Sequence, residues 1–215
     1  MLKINRKSKE LSVKIVYCGA GNFGKASCLS ALHSKVEAVQ GTKTEIVSIG
    51  AGPSRTAYFC FAPVEDDGAY DGCRMKVQVI AHGNQVIANS MYELVLRDVD
   101  GIVFVVDPEP DRMSRCHRRF EAVHRSLRAL HGSLHSVPYV IQYNKRDLPA
   151  AISVEKIERT FNIGWAKAPS FVAAATRSKG IVEPFDHLLG LIRKQIVREA
   201  MFQTVGAYST AVACS

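Results

Sequence analysis

Short apolar segments alternate with amphipathic stretches along almost the whole chain. Near-continuous apolar runs are typical of strands buried on both faces, and apolar spacings of three and four residues indicate helices. We predict strands at 14–17, 56–64, 75–81, 101–106, 137–143 and 170–174. We predict helices at 25–32, 85–96, 112–130, 154–161 and 182–201, with Asp111 and Ser153 as N-caps. This order predicts an α/β fold, a three-layer sandwich whose mostly parallel six-stranded sheet has helices on both faces.

The length of the chain, 215 residues, is enough for one domain with a full core. We place this domain at 13–200, between a basic N-terminal tail at 1–12 and an uncharged, aperiodic C-terminal tail at 201–215. No apolar segment is long enough to span a membrane, and none follows the basic N-terminus as in a signal peptide. The six cysteines are scattered without metal-binding spacing, which favours a reducing cytoplasm.

The net charge of +8 is concentrated in the N-terminal tail and in residues 112–128. The second segment is the predicted third helix, and we place four arginines on its outer face: Arg115, Arg118, Arg119 and Arg125. Such a face is commonly just solvated. The alternative is a docking surface for an acidic protein or an anionic membrane. Nucleic acid is disfavoured, because aromatic residues are not interleaved with the charges.

A glycine-rich loop, CGAGNFGKAS at 18–27, joins the first predicted strand to the first helix. Gly19, Gly21 and Gly24 match G-x-G-x-x-G, the dinucleotide-binding pattern. That fold also places an acid at the end of the second strand, on the ribose. The segment EIVSIG at 45–50 ends without an acid, so this signal is weak.

The same loop fits G-x-x-x-x-G-K, in which backbone N–H groups surround a β-phosphate and the lysine neutralises phosphate oxygens. Lys25 has a role only in this second pattern. The next residue should carry a hydroxyl for Mg²⁺, but Ala26 has none, and Ser27 points about 100° away on the helix. The loop alone does not decide which of the two patterns applies. Its candidate nucleotide contacts are Gly19, Gly21, Asn22, Phe23, Gly24, Lys25, Ala26 and Ser27.

A second motif, Asn144-Lys145-Arg146-Asp147, follows the predicted strand at 137–143. A carboxylate such as Asp147 accepts from both N1–H and the 2-amino group of guanine, a pair of donors that adenine lacks. The stem of Lys145 can lie along the base, and Asn144 can tie this loop to the glycine loop. The alternative is a turn in which Asp147 caps a helix.

A further strand end, at Ala174 and Ala175, could bring backbone N–H groups to a guanine oxygen. Small side chains there permit this close approach, although simple packing of a strand end would also use them.

Together these motifs resemble the Ras-like small GTPases, and among them the bacterial mutual gliding-motility protein family, MglA. The resemblance covers about residues 14–197 and is carried by KIVYCGAGNFGK, SRTAYFCFAPV, LVLRDVDGIVFVVD and PYVIQYNKRDLP. It implies a P-loop small G domain that binds GTP or GDP with Mg²⁺ in bacterial gliding motility or cell polarity. It also implies effectors and a homodimeric Roadblock-type, MglB-like activator as partners, in the cytoplasm or peripherally at the membrane or cell pole.

The resemblance assigns three further roles. Arg55 falls on the catalytic arginine supplied in cis, and Thr56 on the threonine that meets Mg²⁺ and the γ-phosphate. Gln85 falls on the glutamine that orients the attacking water.

Three positions depart from small GTPases at large. Ala26 replaces the Mg²⁺ ligand of the loop, and Asn84 replaces a glycine that senses the γ-phosphate, with Gly83 one place early. Ala81 stands where most small GTPases have an aspartate, although the MglA family departs there too. We therefore expect guanine binding with weakly held Mg²⁺, Thr56 as its protein ligand, and weak hydrolysis.

This reading leaves three alternatives open. The first is a competent GTPase that uses Arg55 and Gln85, and the second is a pseudo-GTPase scaffold that works without nucleotide. The third and weakest is an NAD-type oxidoreductase.

Overall fold

The computed structural model describes residues 3–5, 7–41, 43–52, 55–64, 72–83, 89–132, 137–162 and 167–212. The strands are β1 Lys3–Asn5, β2 Glu10–Cys18, β3 Val47–Ile49, β4 Thr56–Phe61, β5 Arg74–His82, β6 Gly101–Val106, β7 Tyr139–Tyr143 and β8 Ser170–Val172. The α-helices are α1 Lys25–Gln40, α2 Asn89–Leu96, α3 Met113–His131, α4 Val154–Phe161 and α5 Val182–Val212.

One sheet contains all eight described strands, in the order β3-β4-β5-β2-β6-β7-β8, with β1 paired to β2 beside this path. β5, β2, β6, β7 and β8 pair in parallel, whereas β4 is antiparallel to β5 and β3 to β4. The α/β prediction is confirmed. The strand number was too low, because β1 and β3 have only three residues each and β3 is exposed throughout, so neither has a buried-strand pattern.

The N-terminal segment differs from the tail predicted at 1–12. β1 pairs antiparallel with the start of β2, opposite residues 10–12, and Leu11 is fully buried. β6 pairs only with the later part of β2, beginning at Ile15, so the start of β2 is available for β1. The hairpin therefore extends the sheet with residues that the charge pattern assigned to a tail.

Three helix ends also differ from the prediction. α1 continues to Gln40, whereas the prediction ended it at residue 32. α3 begins at Met113 after a 3₁₀ turn at Pro110–Arg112, so Asp111 lies in that turn and is not the N-cap. α5 continues to Val212 through residues predicted as a tail, since extending an existing helix needs no new apolar face. Ser153 does cap α4, because its Oγ accepts from the N–H of Lys156 at 3.4 Å.

The core lies around β2 and β6, whose apolar side chains are buried on both faces of the sheet. Four of the cysteines, Cys18, Cys28, Cys73 and Cys116, are buried, consistent with packing. None of the described helices is long and apolar enough to cross a membrane. The carboxyl ends of the parallel strands meet at one edge of the sheet, so the loops that follow them share one site.

Candidate functional site

An open cleft of about 880 Å³ lies at this edge of the sheet. The predicted site residues that line it are Gly21, Asn22, Phe23, Gly24, Lys25, Ala26, Ser27, Arg55, Asn144, Lys145, Asp147 and Ala175. Gly19, Thr56 and Ala174 do not line it. Gln85 and Asn84 lie outside the described residues. The structure thus brings the glycine loop and the Asn-Lys-Arg-Asp loop, far apart in sequence, into a single cleft.

The glycine loop is shaped by positions that accept no side chain. A Cβ at Gly19 would lie 2.6 Å from the carbonyl oxygen of Val105, and a Cβ at Gly24 would clash with the amide of Asn144. Gly24 also has φ 88, a left-handed conformation that favours glycine. As the N-cap of α1, Gly24 has no side chain to accept from the first N–H groups of the helix. These N–H groups, with the helix dipole, suit an anion such as phosphate.

Lys25 closes the loop upon itself. Its Nζ donates to the carbonyl oxygens of Gly19 at 3.0 Å and Ala20 at 2.7 Å, and the residue is only 7% exposed. Burial, and after it the charge of Arg119, lower the pKa of Lys25 to about 8. A buried cation with no anion beside it is costly, so an incoming phosphate would be stabilised by this lysine.

Asn144 joins three loops. Its Nδ2 donates to the carbonyl oxygen of Phe23 at 2.9 Å, which is the link to the glycine loop that we predicted. Its Oδ1 accepts from the N–H of Ala175 at 3.1 Å, a link that we did not predict. The N–H of Ala174 donates to the carbonyl oxygen of Lys179 at 3.0 Å. Both N–H groups considered for a guanine oxygen are therefore engaged within the protein.

Asp147 faces the cleft from the same loop. Its Oδ2 accepts from Thr176 Oγ1 at 3.1 Å and lies 3.7 Å from Nε of Arg177, and its side chain is 19% exposed. The next helix, α4, begins at Val154 and is capped by Ser153. Asp147 therefore does not cap this helix, and its carboxylate lines the cleft while in contact with Thr176 and Arg177.

The sheet topology separates the two readings of the glycine loop. The strand after α1 is β3, an edge strand antiparallel to β4. A dinucleotide fold would place a parallel strand there and deliver the ribose acid from its end. A model of the ADP-ribosylation factor family matches residues 69–192 of the chain. The chain belongs to the Arf/Ras-like family of small GTPases.

Relatives in bacteria and eukaryotes support this assignment. The mutual gliding-motility protein MglA of Myxococcus xanthus (strain DK1622) is 32% identical over 193 residues, 90% of this chain and 96% of the relative. The ADP-ribosylation factor-like protein 4D of Mus musculus is 27% identical over 193 residues, 86% of this chain and 85% of the relative. The ADP-ribosylation factor-like protein 1 of Saccharomyces cerevisiae is 26% identical over 125 residues, 56% and 66% of the two chains.

The residues that small GTPases place near the γ-phosphate are only partly in the cleft of this G domain. Arg55 is exposed and lines the cleft, and its carbonyl oxygen accepts from the N–H of Gly83 at 2.9 Å. The hydroxyl of Thr56 is instead 2.7 Å from Nδ1 of His82. The structure therefore engages the expected metal ligand with a neighbouring strand.

His82 is a cleft residue that the sequence patterns did not reveal. It is 9% exposed and ends β5, directly before Gly83. Burial lowers its pKa, and the charges of Arg119 and Lys25 lower it further, so the ring is neutral at pH 7. Its position at the carboxyl end of a predicted buried strand was the one available signal.

Two cleft positions at which small GTPases at large carry oxygen side chains near Mg²⁺ are alanines in this chain. Ala26 and Ala81 line the cleft without an oxygen ligand in their side chains. Ser27 also lines it, and Thr56 is engaged with His82. Among the described residues, no group of three histidine, cysteine or acidic side chains could hold a metal ion. Within the described part of the chain, the cleft therefore offers a metal ion scattered oxygen atoms and no clustered set of histidine, cysteine or acidic ligands.

The basic helix is less uniform than predicted. Arg115, Arg118 and Arg125 are exposed, but Arg119 is half-buried, with its guanidinium 3.8 Å from the centre of the Tyr92 ring. A cation over an aromatic face is stabilised by the ring. Arg119 therefore belongs to the contact between α2 and α3, and its assignment to the outer face was wrong.

Proposed function

We propose that this protein binds guanine nucleotides through a G domain with a degenerate Mg²⁺/γ-phosphate site. The observation that carries the proposal is Asn144, whose amide holds the phosphate loop and the base loop together in one cleft. Asp147 lies in the same cleft with a carboxylate that suits the N1–H and 2-amino donors of guanine. We further propose a role as a molecular switch or scaffold in bacterial motility or cell polarity, supported by the likeness to MglA.

The binding chemistry follows from what each group offers. The N-terminus of α1 and Lys25 supply N–H donors and positive charge to the phosphates. Asp147 accepts from the base edge, and the stem of Lys145 lies beside it. When bound, Mg²⁺ would offset charge on the β- and γ-phosphates. The hydroxyl of Ser27 lines the cleft, whereas Thr56 would have to leave its contact with His82 to bind the ion. We propose that this ion is held mainly by the phosphates.

Hydrolysis is the second candidate. Arg55 lines the cleft, so a positive charge from the protein itself is available to stabilise charge that develops on the γ-phosphate. The missing hydroxyl at Ala26 weakens metal binding in the same place. We therefore expect slow hydrolysis, with Arg55 and Gln85 as the catalytic residues.

Equilibrium binding of labelled GTP, GDP, ATP and NADH, with Mg²⁺ and with EDTA, tests these alternatives together with phosphate release. We expect GTP and GDP to bind with little effect of EDTA, ATP and NADH to bind far more weakly, and phosphate release to be slow. Rapid release from GTP would favour the competent GTPase. Absence of binding to any nucleotide would favour the scaffold, and preferential binding of NADH would contradict the G-domain function.

The partner contact that we propose uses the exposed basic face of α3, defined by Arg115, Arg118 and Arg125. By likeness to MglA, the partners are effectors and an MglB-like Roadblock activator. An acidic protein surface or an anionic membrane would complement the charge of this face.

Charge reversal tests this basic face. We expect Arg118→Glu with Arg125→Glu to lower binding to an acidic partner or to anionic liposomes by about tenfold at low salt, because attraction becomes repulsion. Nucleotide affinity should not change, since both side chains are exposed and outside the cleft. The matched control is Lys194→Glu with Arg198→Glu, two exposed residues one turn apart on α5. If both double variants bind the acidic partner or the liposomes equally well, the basic face of α3 is an ordinary solvated face.

A further inference from the structure

The lysine of the base loop is held by two carboxylates from another loop. Nζ of Lys145 lies 2.6 Å from Oδ2 of Asp107 and 3.1 Å from Oε1 of Glu109. Asp107 is the first residue after β6 and is fully buried, and the side chain of Glu109 is 34% exposed. Asp107 ends the stretch LVLRDVDGIVFVVD that carries the family resemblance, but the sequence assigned no role to either acid.

The two carboxylates are themselves fixed. The other oxygen of Asp107, Oδ1, accepts from the N–H of Glu109 at 3.2 Å, and the carbonyl oxygen of Asp107 accepts from Cys116 Sγ at 3.7 Å. The N–H of Asn144 donates to the carbonyl oxygen of Val106 at 3.0 Å. The loop after β6 is thus tied to both α3 and the base loop, and it presents the acids in a defined position.

The geometry of Lys145 shows what these acids do to it. Its backbone has φ 55°, in the left-handed region that is uncommon for a residue other than glycine. Burial lowers the pKa of Lys145, but hydrogen bonds to Asp107 and Glu109 outweigh this and leave the pKa raised. The ammonium is therefore charged and anchored, and Lys145 and Asp147 both line the cleft.

We propose that Asp107 and Glu109 form a carboxylate brace that positions the stem of Lys145 against a bound guanine base and slows release of the nucleotide. The brace acts through Lys145, so both acids are positioning residues. An unanchored lysine must lose its side-chain freedom on binding, which weakens affinity by about tenfold. The inference rests on the proposed guanine-nucleotide binding.

The experiment measures dissociation of fluorescently labelled GDP from wild type, Glu109→Gln, Asp107→Asn and Lys145→Met, and from each acid variant combined with Lys145→Met. We expect release to be faster by about tenfold in Asp107→Asn and about threefold in Glu109→Gln, whose acid is partly solvated. In the Lys145→Met background neither acid substitution should accelerate release further. The inhibition constant of inorganic pyrophosphate against labelled GDP should be unchanged, because the brace faces the base and not the phosphates.

The control is Glu121→Gln, which removes an exposed glutamate 3.2 Å from His117 on α3 and should leave release unchanged. If the buried Asp107→Asn variant does not fold, the partly exposed Glu109→Gln variant decides the question alone. The proposal would be overturned if the acid substitutions accelerated GDP release additively with Lys145→Met. Weaker binding of pyrophosphate, or release rates equal to those of the control, would overturn it as well. Failure of the proposed function itself is distinguishable, because wild type would then not bind labelled GDP at all.

Discussion

Asp147→Ala is expected to abolish the preference for guanine and to weaken GDP binding by at least about 100-fold. The substitution removes two hydrogen bonds to a charged acceptor, each worth about 1.5–3 kcal/mol. ATP gains nothing from the carboxylate in wild type, so its weak binding should not change. The two affinities should converge in the variant, and titrations of GDP, GTP and ATP measure this directly.

The fold should tolerate the loss of Asp147. The carboxylate contacts two exposed residues, with Thr176 Oγ1 at 3.1 Å and Nε of Arg177 at 3.7 Å. Surface contacts of this kind contribute little, so the thermal midpoint should shift by no more than a few degrees. Arg177→Ala is the matched control, because it removes the ion partner of Asp147 and leaves the base reader intact. Equal binding of ATP and GTP by wild type would refute the base-loop assignment.

The elements that sequence predicted well are those whose physics is local. A strand buried on both faces, such as β6, needs a continuous apolar run, and this run is visible in the sequence. The glycine loop and the Asn-Lys-Arg-Asp loop were visible for a related reason. Phosphate and guanine each need particular residue types at adjacent positions, so the chemistry leaves a short pattern.

The contacts that sequence missed join residues far apart in the chain. Lys145 meets Asp107 across 38 positions, and Thr56 meets His82 across 26. Neither spacing has a local signature, because the register of β4 on β5 and the ends of β6 and β7 create both contacts. The short edge strands β1 and β3 were missed for a different reason, since their hydrogen bonds involve backbone groups and need no apolar pattern.

A single substitution in the glycine loop tests the degenerate metal site. Ala26 is exposed in the cleft, one residue after Lys25, so a side chain there can reach a bound ion without displacing the core. We expect GTP binding by wild type to depend weakly on Mg²⁺, since the ion keeps several waters and finds few protein oxygens. Ala26→Thr should raise the affinity for GTP by about tenfold in Mg²⁺ and not at all in EDTA, because the substitution adds one oxygen that faces a charge.

Ala26→Thr should also raise whatever hydrolysis Arg55 and Gln85 support, because a better-held ion offsets charge that develops on the γ-phosphate. Asn84→Gly restores a glycine at the γ-phosphate position of the family. If γ-phosphate sensing is also lost in wild type, the double variant Ala26→Thr with Asn84→Gly should gain more GTP affinity and phosphate release than the sum of the two single effects. GTP affinity and phosphate release, with Mg²⁺ and with EDTA, are the quantities to compare across wild type and the three variants.

Ser27→Ala is the informative control for the Ala26→Thr series, because Ser27 is the other hydroxyl of the loop that lines the cleft. One residue along the helix turns its side chain by about 100°, so we expect its loss to leave the dependence on Mg²⁺ unchanged. Strong dependence in wild type, abolished by Ser27→Ala and not increased by Ala26→Thr, would show that Ser27 holds the ion. The metal site would then be rearranged and not degenerate, and slow hydrolysis would need another cause. The contact between Thr56 and His82 would be the next one to remove by substitution.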